Sequence, residues 1–441
     1  MLANLASVNS DEVLPEQADV VIIGGGIVGV SLALTLAERK ISVVLCEKGR
    51  IGAEQSSRNW GWCRQMGRDP REIPLIIESL KLWRQMNERI GDETGFKTTG
   101  ILYLAENDQQ MANHEKWLEH ARLHQLDSRL ITSDEVAQLL PQSATRWRGA
   151  MYTPSDGKAE PFIAAPAIAR AAQRLGAKVF THCAVRGIER QAGRISGVIT
   201  ERGAIRCSQV VLAGGAWSSL FCGSLGLRLP QLKILSSVLR TSPIEGPGPS
   251  SWGPRFAYRK RDDGGYTVAE GATTNAVFVP DSFRYFNDFL PMLKQEWKNV
   301  RLHFGQRFFE EWNTPRQWAL DQESPFEKVR IFDPRPMPSL LKVAMGNLRK
   351  AFPVFEQARI LDSWAGYIDV TPDVVPVISA VDSVPGFFIA TGFSGHGFGI
   401  GPGAGRLMAD IVTGATPIVD PSPFRFSRFT DGSPITVMGS A

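Results

Sequence analysis

Residues 19–25 (DVVIIGG) form a short apolar run of mostly β-branched side chains without polar alternation, as expected of a strand buried on both faces in a parallel sheet. Gly24-Gly25-Gly26 interrupts it. Residues 27–39 (IVGVSLALTLAER) then place apolar positions at helical spacing, and 41–47 (ISVVLCE) read as a second buried strand, completing a βαβ unit. A loop dense in Gly, Ser and Arg follows over 48–70. The pattern next predicts a helix around 72–90, a strand at 98–105, helices at 108–126 and 133–140, and an Ala-rich amphipathic helix at 162–176 ending on glycine. Strand-like pieces follow at 178–188, 194–201 and 204–213. From about 222 to 350 the texture shifts to Pro, Trp, Arg and Phe, with strands at 254–260 and 265–270 and a helix-like stretch at 283–304. The apolar texture of the start returns with a strand at 386–391 and a helix from about 401.

A chain of 441 residues accommodates two domains, and the return of the first texture predicts that one is inserted in the other. The expected class is α/β in a two-domain α+β arrangement. A Rossmann-type nucleotide domain takes 17–100, 150–222 and 355–425, and a substrate domain of antiparallel sheet plus helices takes 101–149 and 223–354. The 49 basic and 45 acidic residues leave +4 with no basic block, which argues against nucleic acid. Five cysteines, none in a CxxC or zinc-like spacing, read as buried thiols in a reducing compartment. Residues 1–17 lack the basic start and apolar core of a signal peptide, and no apolar run reaches the roughly 18 residues of a membrane span. A soluble cytoplasmic protein is expected. Residues 283–304, aromatic on one side and basic on the other, suit either a helix covering a sheet or one lying on a membrane surface.

Gly24-x-Gly26-x-x-Gly29 sits after the first strand and opens the first helix, with Ile27 and Val28 between its last two glycines. Gly24 permits the tight turn, Gly26 lets backbone approach a pyrophosphate, and Gly29 lets helix and strand pack closely. The helix N-terminus offers free N–H groups and a positive partial charge to phosphates. Glu47, at the end of the second strand, is placed to accept hydrogen bonds from a ribose diol and to repel a 2′-phosphate, against NADP.

The stretches DVVIIGGGIVG…VVLCEKGRIGAEQSS, VVLAGGAWS (210–218) and PGFFIATGFSGHGFGIGPGAG (385–405) resemble the D-amino-acid oxidase superfamily, nearest in pattern to its sarcosine and glycine oxidase branch. The resemblance covers the nucleotide-binding portions and implies FAD, held non-covalently because no cysteine stands at or near Trp364. It places Lys48, Ser56, Ser57 and Val185 along the dinucleotide, with Ala213, Gly214 and Trp217 turning past it. Arg58, Asn59, Trp60, Gly61, Trp62 and Arg64 run along the flavin, and Trp364 and Gly366 belong to a strand closing over it. Gly392, Gly395, His396, Gly397, Phe398, Gly399 and Ile400 form a turn and helix start aimed at the ring. A helix dipole there favours a reduced, negative flavin.

The activity implied is oxidation of the C–N bond of a secondary amine, D-amino acid or N-alkyl amino acid by hydride transfer to flavin N5, giving an imine that hydrolyses. Arg64, His396, Tyr258 and Trp364 are the catalytic candidates, with Tyr258 and Trp62 forming an aromatic box or simply core. The branch anchors a carboxylate with an Arg three residues beyond the flavin arginine and a Lys after HGF. Here Gly67 and Gly399 stand there, leaving Arg68 or Arg259 to hold the carboxylate, or a substrate without one. The expected partners are a small amine or amino acid and, as acceptor, O2 or a quinone or electron-transfer carrier. Two alternatives stay open: a 2-hydroxy-acid dehydrogenase using His396 as base, and an electron-relay subunit of a larger complex.

Overall fold

The computed structural model describes residues 4–297 and 300–438. Strand Val20–Ile23 lies near the centre of a six-stranded sheet, between Gln209–Leu212 and Val43–Cys46. Phe387–Thr391 pairs parallel beyond Gln209–Leu212, and Lys178–Phe180 pairs parallel beyond Val43–Cys46. Val377–Ala380 adds an antiparallel edge. The unalternating apolar run has a direct physical cause. Val20 and Ile22 enter a core shared with helices Ile27–Glu38, Pro161–Arg174, Ile73–Ile90 and Gly397–Thr413. Val21 and Ile23 enter a second core on the opposite face, with Val198 and Ile205 of a three-stranded antiparallel layer.

A ten-stranded sheet forms the second layer system. Leu232–Thr241 pairs along its length with Ile360–Val370, and Ile101–Ala105 lies between Ser250–Gly253 and Gly149–Thr153. The sheet is mixed rather than wholly antiparallel, since Ser250–Gly253 runs parallel to Ile101–Ala105 and Thr274–Val277 parallel to Val300–His303. Gly149–Thr153 and Ile360–Val370 pair in this sheet, although the boundaries at 150 and 355 assign residues 150–153 and Ile360–Val370 to the nucleotide domain. The chain therefore crosses between the two sheets more often than texture suggests.

Two elements depart from the periodicity. The single helix expected at 283–304 is instead helices Pro280–Arg284 and Phe286–Glu296 and strand Val300–His303, with residues 298–299 outside the described residues. Phe283, Phe286, Trp297, Leu302 and Phe304 on this segment, and Phe309 and Trp312 on the following helix Gln306–Trp312, are exposed. The last helix starts at Gly397 rather than near 401, because Pro402 is tolerated within its first two turns. Among the described residues no helix is long and apolar enough to cross a membrane, and all five cysteines are buried and free.

Candidate functional site

A continuous cavity of about 440 Å³ opens between the two sheets. At one end the Rossmann turn forms its wall. Gly24 has φ +111°, and a Cβ there would lie 2.4 Å from the Ala213 carbonyl oxygen. A Cβ on Gly29 would lie 2.1 Å from Gly24 O, so helix Ile27–Glu38 approaches the strand only because both side chains are absent. Glu47 closes this end. Its carboxylate accepts the Gly25 N–H and the Gly49 N–H, each at 2.7 Å, and burial raises its pKa despite those bonds and Lys48. Ser56 Oγ accepts the Ile27 N–H at 2.9 Å, and Lys48 Nζ stands 4.1 Å from the centre of the Trp217 ring.

Midway, the wall is backbone and small side chains: Gly214, Gly215, Ser236, Ser237 and Gly366. Arg58 borders the cavity, bonded to Ala53 O, Ala365 O and Asp333, with its buried Nη2 without a hydrogen-bond partner among the described residues.

At the far end stand Trp60, Trp62, Arg64, Arg68, Trp252 and His396. The Trp60 ring packs edge-on against Trp62 (5.2 Å between centroids) and Trp252 (5.6 Å). Arg64 lies over Tyr103 and donates to Met66 O. Its loop is pinned by the buried Asp156, whose carboxylate accepts the Gln65 N–H at 2.7 Å and the Met66 N–H at 3.3 Å. Burial pushes that carboxyl up to about 7. Arg68 is buried, donating from Nε to Arg64 O (3.1 Å) and from Nη2 to His396 O (3.2 Å). Burial, against the pull of Glu72, brings it down to about 10.

The glycine-rich helix enters from above. His396 is its N-cap and supplies no side-chain cap, so the first N–H groups stay free where Gly397, Phe398 and Gly399 border the cavity. Ser79 Oγ and Trp83 Nε1 each donate to Gly399 O at 2.8 Å and hold that end in place.

Most of the residues singled out from sequence border this one cavity: Gly24, Gly26, Ile27, Val28, Glu47, Lys48, Ser56, Arg58, Asn59, Trp60, Trp62, Arg64, Val185, Ala213, Gly214, Trp217, Gly366, Gly395, His396, Gly397, Phe398 and Gly399. Others support the wall from behind. Ser57 is buried beside Glu54 O, Gly61 packs against Ala159 O and Arg259, Gly392 sits on Thr371, and Ile400 is in the helical core.

Two catalytic candidates are corrected. Tyr258 points into the core among Phe256, Tyr266, Phe352 and Phe355, bonded to Ser251 Oγ, because its strand turns that face toward helix Pro338–Ala351. Trp364 is buried against Phe162, and its Nε1 donates to Arg58 O, so it holds the Arg58 loop and does not line the cavity. Arg259 is likewise structural, paired with Glu160. Trp252, Glu270, Asn275 and Asp369 border the cavity without having been picked out, since they carry no motif and converge only through the second sheet, and Gln55, at the start of helix Gln55–Arg58, joins them beside Ser56.

These residues fit FAD. Side-chain-free backbone faces the cavity beside a helix start whose N-cap, Gly26, has no side chain, a carboxylate stands at the strand end, and an Arg58 nitrogen without a partner among the described residues is close by. A family model described as FAD dependent oxidoreductase (DAO) matches residues 19–411. The chain belongs to the DAO family of FAD-dependent oxidoreductases. It is similar to the solved L-amino acid deaminase from Proteus myxofaciens in complex with anthranilate, at 37% identity over 97% of each chain and a TM-score of 0.94. It is also similar to human mitochondrial sarcosine dehydrogenase, 25% identical over 94% of this chain, and spans 42% of that protein. Sarcosine oxidase subunit beta from Arthrobacter is 24% identical over 96% of this chain and 94% of its own length. The expected superfamily, flavin and class of reaction agree with these relatives.

Proposed function

We propose that this DAO-family protein binds FAD non-covalently and oxidises the C–N bond of an amino acid or N-alkyl amino acid. The observation that carries this is the single cavity running unbroken from Glu47 and Val185 to Trp62, Arg64 and His396, so that a dinucleotide and a small substrate share one space. FAD, when bound, accepts the electron pair of the substrate C–H bond. The chain's own residues do the rest. Arg64 and Arg68 border the substrate end and supply positive charge for a carboxylate, replacing the anchors absent at Gly67 and Gly399. Trp60, Trp62 and Trp252 provide an apolar box for the side chain or N-alkyl group and keep water out. The imine released is hydrolysed by water to a carbonyl compound and ammonia or an alkylamine. The names of the relatives, deaminase and sarcosine oxidoreductases, support the same substrate class.

Electrons then pass to O2 or to a quinone or electron-transfer carrier. The exposed rings on residues 283–312 favour a carrier met at an apolar surface. Anaerobic bleaching of the flavin by members of an amino-acid panel tests the reading, and bleaching by 2-hydroxy acids alone overturns it. Oxidation of a 2-hydroxy acid is kept as a second reading because a histidine with a carboxylate partner borders the cavity.

A further inference from the structure

The substrate end of the cavity holds an arrangement that the binding of FAD leaves unexplained. His396 Nδ1 lies 3.1 Å from Glu72 Oε2. Glu72 is wholly buried at the start of helix Ile73–Ile90, 324 residues away in sequence. A buried carboxylate needs partners, yet Glu72 has few: Arg68 Nη1 stands at 3.6 Å and, among the described residues, Oε1 accepts no hydrogen bond. A neutral imidazole meeting a carboxylate through Nδ1 must carry its proton there, which leaves Nε2 as the basic nitrogen. Nε2 has no protein partner among the described residues, and His396 borders the cavity beside Arg64 and Trp62.

We propose, resting on the amino-acid reading above, that His396 is the base that removes a proton from the incoming substrate ammonium, and that Glu72 is the positioning residue that fixes its tautomer. An amino acid arrives protonated on nitrogen at neutral pH, and only the neutral amine has a lone pair to stabilise the developing iminium. In this step the substrate N–H bond breaks, its electron pair stays on nitrogen, and the proton goes to Nε2. The resulting imidazolium is balanced by Glu72. The charged groups facing His396 are Glu72, Arg68 and Arg64. Burial, then Arg68, holds the imidazole below its ordinary pKa, against the upward pull of Glu72, so the resting ring is neutral and ready to accept. An orienting carboxylate behind a histidine is a recurrent means of setting both tautomer and basicity.

The test pairs spectroscopy with kinetics on the FAD-loaded protein. With 15N-labelled histidine, His396 should show protonated Nδ1 and unprotonated Nε2, and Glu72→Gln should lower its pKa and mix the tautomers while the melting temperature shows the variant is folded. An Nε2-protonated resting ring overturns the proposal, whether or not amino acids are substrates. In anaerobic rapid mixing, His396→Gln should slow flavin bleaching by about 10²-fold at neutral pH. The deficit should shrink above the substrate's own amine pKa, where deprotonation needs no base. A deficit equal at all pH values overturns the role in amine deprotonation. If 2-hydroxy acids alone bleach the flavin, the amino-acid reading fails while the tautomer result still stands or falls separately.

Discussion

Arg259 and Glu160 form a buried bidentate ion pair, Nη1–Oε1 at 2.6 Å and Nη2–Oε2 at 3.1 Å, joining the ten-stranded sheet to the N-cap of helix Pro161–Arg174. Arg259 Nε also donates to Trp60 O at 2.6 Å, so one guanidinium ties the ten-stranded sheet to that helix start and to the tryptophan loop. Arg259→Ala leaves the buried Glu160 with only Lys158 Nζ at 3.8 Å and the Asp262 N–H at 3.0 Å, and is expected to cost about 3 kcal/mol, read by denaturant unfolding. The Glu160 carboxyl is held below its usual range by Arg259 against the cost of burial. The pair's contribution is therefore present above the carboxyl's unfolded pKa and lost as pH falls through the folded one.

Gly29→Ala forces a Cβ to 2.1 Å from the Gly24 carbonyl and must push the helix off the strand. The variant is expected to purify without FAD and to melt earlier than the parent, checked by the flavin absorbance-to-protein ratio. A yellow Gly29→Ala protein of unchanged stability contradicts the proposed dinucleotide site.

Glu47→Ala removes the carboxylate held by two backbone N–H groups at the cavity's end. Charge-assisted hydrogen bonds of this kind contribute about 1.5–3 kcal/mol, so FAD affinity should weaken roughly 10- to 150-fold in fluorescence titration. Glu47→Gln, which keeps an acceptor, should fall between.

Asp156 gives a pH signature of the opposite sign to Glu160. Burial raises its folded pKa to about 7, so the folded state binds the proton more tightly than the unfolded one. Its contribution is fully present below the unfolded pKa and lost as pH rises through about 7. Unfolding free energy of the parent should decline over that window relative to Asp156→Asn, whose profile should be flatter. The same titration should loosen or tighten the loop carrying Arg64, since Asp156 holds the Gln65 and Met66 N–H groups.

The nucleotide half was legible because its chemistry is local. The turn Gly24–Gly29, the strand end at Glu47 and the start of helix Gly397–Thr413 each lie within a few residues of the element that positions them. The substrate half was not, for reasons Tyr258 and Glu72 illustrate. Tyr258 stands in an aromatic and basic stretch that suits a pocket, but strand pairing with Ser250–Gly253 and Tyr266–Ala269 turns its ring to the core. Glu72 precedes an ordinary amphipathic helix and acquires meaning only when the chain returns His396 to it. The helix expected over 283–304 breaks at Tyr285, which caps two short helices, and the apolar positions at its end also suit the short strand Val300–His303.

The most direct test of the central claim is anaerobic mixing of the FAD-loaded protein with a panel of D- and L-amino acids, N-methyl amino acids and 2-hydroxy acids, followed at the flavin absorbance band. The account predicts bleaching by at least one amino or N-methyl amino acid, with FAD released intact by heat or acid. Bleaching by none of them, or FAD that stays attached after denaturation, would contradict it.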